Sequence, residues 1–201
     1  MNTSSSILRR RMIRQYTEKF ITPETIELLL EAATHAPSPH HRQPWRFAVI
    51  TGEAIYALAR AMGDQLKSDL SHDGVSSSTI ERDTSRSFRR ITSAPVAFVA
   101  CMSMRDMDVY PDERRNDFER WMAGQAVAAA IENILVRATE LDIGACWMCA
   151  PLFCQSVVQQ LLHLPEDWEP QALITLGYPA DQGKVRQRMP IKDISVEISA
   201  I

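Results

Sequence analysis

Two groups of cationic side chains stand at opposite ends of the chain. Arg9, Arg10, Arg11 and Arg14 lie near its start, and Lys184, Arg186 and Arg188 near its end. The planar guanidinium fork matches the oxygens of a phosphate, so arginine suits bidentate phosphate recognition. Groups this far apart in sequence can converge on one phosphate monoester. From charge alone the alternative is a solvated charged face. A third feature is the stretch Ala36 to Phe47, APSPHHRQPWRF, with three prolines, two histidines, a glutamine and a tryptophan. Dense proline fixes backbone, and rigid loops of this kind position ligands. Trp45 taken alone reads as a core anchor.

Other chemistry lacks its parts. Cys146 and Cys149 form the C-x-x-C start of a zinc site, with Cys154 close behind. A structural zinc needs four ligands, and the fourth would be Cys101 or a distant histidine. Alternation along a strand also sets Cys146 and Cys149 on opposite faces, so these thiols read as small buried hydrophobes. His35, His40 and His41 have no carboxylate nearby in sequence, and no metal is expected there. There is no phosphate-loop motif and no G-x-G-x-x-G, and seven glycines leave little material for either. No G-x-S-x-G elbow occurs. Ser38 stands too close in sequence to His40 and His41 to read as a triad without geometry.

The elements that must position these residues come from one ordinary globular chain. Its 201 residues suit a single domain spanning 1–201. The net charge of −3 gives no general attraction to nucleic acid or to an anionic membrane. The longest apolar runs, Ala94–Met102 and Ala126–Ile131, are far short of a membrane span. Four cysteines in apolar surroundings indicate a reducing, cytoplasmic setting. The arginine-rich start has no central apolar block and is not a secretory signal. Its Arg/Ser composition is shared with mitochondrial transit peptides; the competing reading is that these arginines bind something.

A first helix is expected over Ser5–Ile13. A second starts at Thr22-Pro23, where threonine caps and proline suits the first helical position. It ends before Pro37. Strands are expected over Arg46–Thr51, Val96–Cys101, Ala145–Ala150 and Ala172–Tyr178. Helices are expected over Ala54–Leu66, Ile80–Ile91, Asp117–Leu141 and Phe153–His163. Ser68–Thr79 and Ser103–Asn116 read as loops. Gly144 reads as a stop signal after the long helix. That helix is apolar on more than one face, which places it at the centre of the molecule or at a subunit interface. The pattern is α+β, a central sheet covered by helices.

Five segments in order resemble the FMN-dependent nitroreductase family. APSPHHRQPWRF resembles its A-P-S-x-x-N-x-Q-P-W-x-F signature. Arg10-Arg11-Met12-Ile13-Arg14-Gln15-Tyr16 resembles R-R-S-x-R-x-F. Gly124-Gln125 together with Leu141 to Met148 resembles its single A-x-x-L-G-L-G-x-x-W-I segment. Leu176-Gly177-Tyr178-Pro179 resembles L-G-Y-P, and Arg186 to Ile191 resembles K-x-R-x-P-L. The resemblance implies a mostly antiparallel central sheet flanked by helices, in an intertwined homodimer with FMN at the subunit interface. It implies that Arg10, Arg11 and Arg14, with Met12 between them, meet the phosphate and the pyrimidine edge of the flavin. Arg186 and Arg188 are then the second basic pair. Pro37, Ser38, Pro39, His41 and Gln125 are implied as contacts from the partner subunit. Met148, Cys149 and Ala150 are implied as the strand whose backbone lies against flavin N5 and O4.

Three positions depart from the family pattern. Met12 stands where serine is usual, His41 where asparagine is usual, and Cys149 where an acid or glycine is common. The implied activity passes hydride from NAD(P)H through the flavin to a nitroaromatic, a quinone or an unsaturated conjugated acceptor. Pro39-His40-His41 also resembles the flavin-reductase domain of deazaflavin coenzyme biosynthesis, which reduces a dehydro-deazaflavin precursor. A flavin- or deazaflavin-binding protein without turnover would present the same binding residues.

Overall fold

The computed structural model describes residues 3–200; residues 1, 2 and 201 of the expected domain lie outside the described residues. The chain runs α1 (Thr3–Arg9), α2 (Pro23–Thr34), β1 (Trp45–Thr51), α3 (Glu53–His72), α4 (Ser77–Thr92), β2 (Val96–Met102), α5 (Glu113–Glu140), β3 (Gly144–Met148), α6 (Gln155–Leu161) and β4 (Glu169–Gly177). Short 3-10 turns occupy Pro39–His41, Ala150–Phe153 and Ile191–Asp193. The four strands form one antiparallel sheet in the order β1-β2-β4-β3. This is the helix-flanked antiparallel α+β architecture the sequence predicts.

Alternation along β2 builds both layers of the core. All seven of its residues are buried, as expected for a central strand covered on both faces. Val96, Phe98, Ala100 and Met102 face one way, against Leu29 and Ala33 of α2 and Ile131, Ile134 and Leu135 of α5. Ala97, Val99 and Cys101 face the other, against Ile55, Leu58 and Met62 of α3, Ile91 of α4 and Val158 of α6. Each fully buried Ile or Leu contributes roughly 1.5–3 kcal/mol by leaving water. As predicted, Thr22 caps α2: its Oγ1 accepts from the Thr25 N–H at 3.3 Å, with Pro23 at the first helical position.

Several boundaries differ from the expectation, each for a local reason. The first helix stops at Arg9 and not at Ile13, because Met12 and Ile13 bridge in extended form to Ala145 of β3. Most of Ser68–Thr79 is helical. Gln65 donates to Asp69 at 2.7 Å and Ser71 back-bonds to the Lys67 carbonyl, so α3 runs to His72 and only residues 73–76 connect it to α4. The long helix starts at Glu113, four residues before the expected Asp117, because the Asp112 side chain caps it on the Arg115 N–H. Gly144 opens β3 and does not merely end the helix. The strand closes at Met148, so Cys149 and Ala150 turn out of the sheet into the 3-10 turn around Pro151. α6 is shorter than Phe153–His163, and β4 starts three residues before the expected Ala172.

Candidate active site

The arginine-rich start is laid along the sheet by backbone hydrogen bonds. Ile13 N–H donates to the Ala145 carbonyl at 3.0 Å, and Thr17 N–H to Tyr178 at 2.8 Å. The Tyr16 hydroxyl lies 2.7 Å from the Ile13 carbonyl and 2.8 Å from Thr175 Oγ1. Burial raises its pKa well above the usual tyrosine value, so it stays neutral. Gly144 makes this approach possible. A Cβ there would stand 2.7 Å from Ile13 Cγ2, closer than real contacts allow. The same strip is tied to the end of the chain, since Ala180 N–H donates to the Gln15 carbonyl at 3.0 Å. Gly183, at φ +66°, then turns the chain beside Arg11 and Ile13.

Beyond that turn, Lys184, Arg186 and Arg188 lie in irregular chain and meet the N-terminal strip. Arg10, Arg11, Met12, Arg14, Lys184, Arg186 and Arg188 line one basin of about 190 Å³. Arg10 Nε stands 3.0 Å from Glu132 Oε1 as an ion pair but makes no hydrogen bond. Arg11 is directed by the Leu8 and Arg10 carbonyls, each 2.8 Å from its Nη1. Among the described residues, Arg11, Arg14, Lys184, Arg186 and Arg188 have no ion-pair partner. Cations crowded together without carboxylates repel one another, and an anion in the basin relieves that repulsion.

An adjoining cavity of about 550 Å³ shares Met12, Arg14, Lys184 and Arg186 and adds Gln15, Ser93, the carboxylate of Asp181 and three arginines of α4: Arg86, Arg89 and Arg90. These three escaped the sequence reading. The signal was present, because Arg82, Arg86, Arg89 and Arg90 follow helical spacing and share one face. Arg14 and Arg90 also stand near Cys146, whose thiol pKa burial nevertheless raises.

The remaining expected site residues do not line the basin. Pro37, Ser38, Pro39 and His41 belong to the turn between α2 and β1, Gln125 is exposed on α5, and Met148, Cys149 and Ala150 form the outer corner of β3. The turn is held in an uncommon shape, with His40, His41 and Gln43 all at positive φ: 44°, 58° and 50°. Histidine tolerates this region better than most residues, yet each such residue costs about 1–3 kcal/mol. Cys149 is exposed while Cys101, Cys146 and Cys154 are buried. The indole N–H of Trp147 on β3 is buried without an acceptor. A third cavity, about 610 Å³, is lined by Phe118, Arg120 and Trp121 of α5 with Leu152 and Gln155.

The basin, with its unpaired cations, fits a phosphate dianion.

Comparison with known proteins establishes the family and the fold. The family model described as the nitroreductase family matches residues 7–178. The chain therefore belongs to the nitroreductase family, a family of oxidoreductases. An Archaeoglobus fulgidus protein provisionally named NADH dehydrogenase/NAD(P)H nitroreductase is 29% identical over 181 residues, covering 88% of this chain and 84% of its own. A BluB-like flavoprotein from Clostridium difficile 630 superposes with a TM-score of 0.83 at 22% identity, covering 99% of this chain and 100% of that one. A provisionally assigned nitroreductase from Desulfovibrio desulfuricans, solved in complex with FMN, gives 0.75 at 24% identity over 100% and 99%. At these identities the two structures show the shared fold.

Proposed function

We propose that the protein is an FMN-dependent oxidoreductase, built as one domain, that uses NAD(P)H to reduce a nitroaromatic, a quinone or an unsaturated conjugated compound. The observation that carries this reading is the convergence of cations from both ends of the chain in one basin. When bound, FMN would supply the hydride-transfer chemistry between NAD(P)H and the acceptor. Arg10, Arg11, Arg186 and Arg188, with Lys184, hold the phosphate by charge-assisted hydrogen bonds. Met12 occupies the same wall without a hydroxyl to offer. Arg14, together with Arg89 and Arg90 of α4, stabilises negative charge at the pyrimidine edge. The Cys149 and Ala150 backbone N–H groups, at the end of β3 beside Met148, would hold the flavin.

The same reading needs a homodimer. Pro37, Ser38, Pro39, His41 and Gln125 then complete the partner's site. Exposed Trp121 and Phe153, 73% and 81% accessible, with Val185, Met189, Ile191 and Val196 in the final segment, supply apolar surface for a second copy. Among the described residues no helix is long and apolar enough to cross a membrane. We assign the protein to the cytoplasm on its free cysteines.

The test is steady-state oxidation of NADH and NADPH by the FMN-loaded protein, with a nitroaromatic and a quinone as acceptors. Acceptor-dependent turnover is expected. A flavin-loaded protein that NADH and NADPH both fail to bleach would contradict the proposal. Reduction only by or of a deazaflavin would favour the alternative drawn from Pro39-His40-His41.

A further inference from the structure

We propose that Asp108 is a positioning residue whose carboxylate clamps the strained turn Pro39–Gln43 and thereby fixes how His41 is presented. This inference rests on the reading that His41 meets the flavin or the acceptor across the dimer.

His41 sits between two residues that grip the same carboxylate. His40 Nδ1 lies 2.6 Å from Asp108 Oδ2, and Arg42 Nη2 donates to Oδ1. One carboxylate thus holds positions i and i+2 of a turn through both of its oxygens. Within the turn, His41 N–H donates to the Ser38 carbonyl at 3.1 Å, Arg42 N–H to Pro39 at 2.9 Å, and Gln43 N–H to Ser38 Oγ at 3.0 Å. These bonds are local, and no glycine eases the three positive φ angles. Strained backbone persists only where its surroundings over-determine it. The restraint from outside the turn comes from the segment 103–112. Asp106 pairs with Arg46 at 3.3 Å, Asp108 takes His40 and Arg42, and the Tyr110 hydroxyl donates to Glu119 at 3.3 Å. Three residues of one connecting segment, which turns at 104–107 where Met107 N–H donates to the Met104 carbonyl at 3.2 Å, therefore strap β1, the 39–43 turn and α5 together. His41 makes no hydrogen bond or ion pair with Asp108. Its imidazole Nε2 lies 2.7 Å from Gln43 Nε2 and is exposed.

Exposed ion pairs add little to global stability. A clamp made of them acts on one local conformation and leaves the stability of the whole molecule nearly unchanged. The experiment uses the FMN-loaded protein and compares wild type, Asp108→Asn, His41→Asn and the double variant. Asp108→Asn should keep its FMN and lower its melting temperature only slightly. Amide exchange at His41, Arg42 and Gln43 should rise about tenfold with α5 unchanged. For the acceptor, kcat/KM should fall by about 10- to 100-fold, the scale of losing a positioned group. In the His41→Asn background, removing Asp108 should change kcat/KM less than about twofold. Unchanged exchange in the turn, or the same loss of kcat/KM with and without the His41 side chain, would overturn the proposal. Failure of wild type to turn over would overturn the functional reading, while exchange at residues 41–43 still decides the clamp.

Discussion

Asp108 and Asp167 are held below the ordinary carboxylate range by their neighbours. His40 hydrogen-bonds Asp108, with Arg42 adding to the effect. The Ser103 hydroxyl donates to Asp167 at 2.6 Å, and Arg105 stands beside it. A carboxyl lowered in the fold contributes stability above its unfolded value, about 3.9. That contribution is lost as pH falls through the lower folded value. Urea unfolding should therefore show Asp167→Asn less stable than wild type at pH 7, with the gap closing as pH falls below the ordinary carboxylate range. No gap at pH 7 would refute the assignment. The thiols offer a second check, because burial pushes Cys101 up to about 12 while Cys149 is exposed. In the native apoprotein one thiol per chain should react with iodoacetamide at pH 8, and peptide mapping should find it at Cys149. Added FMN should slow that reaction, since the proposed site covers this corner; undiminished labelling of FMN-loaded protein would contradict the placement.

At the level of elements, the position of the N-terminal strip depends on one missing side chain. Gly144→Ala puts a methyl into Ile13, and overpacking of this kind costs about 1–3 kcal/mol. Because Arg10, Arg11 and Arg14 flank Ile13, FMN affinity should fall together with stability. Urea unfolding and flavin titration measure the two losses, and a stability loss with unchanged affinity would separate the strip from the site. Much of this arrangement could be read from sequence. The central strand showed as an unbroken apolar run, α2 as a cap followed by helical spacing, and the paired arginine groups as candidate phosphate ligands. The failures share a cause, in that a tertiary partner decided the local shape. Met12 and Ile13 look helical until β3 bonds to them. The serines around Asp69 look like a loop until side-chain bonds carry the helix through. The α4 arginines were read as a helix and not as a face, because only the fold turns that face toward Arg14. Asp108 gave no signal at all, since its partners are 66 and 68 residues away.

For the whole molecule, the apolar surface left on α5 and on the final segment asks for a second copy. Light scattering at micromolar concentration should give a dimer, with an interface at or above the roughly 2,000 Å² typical of obligate pairs. A folded, flavin-loaded monomer would contradict it. The central claim is narrower, that both ends of the chain grip one phosphate. The most direct measurement is the affinity of the apoprotein for FMN against riboflavin, which differ by that phosphate. Two charge-assisted hydrogen bonds, at about 1.5–3 kcal/mol each, set the expected preference at about 100-fold or more. Arg188→Ala should erode it by weakening FMN alone. Equal affinity for FMN and riboflavin in the wild-type protein would contradict the account.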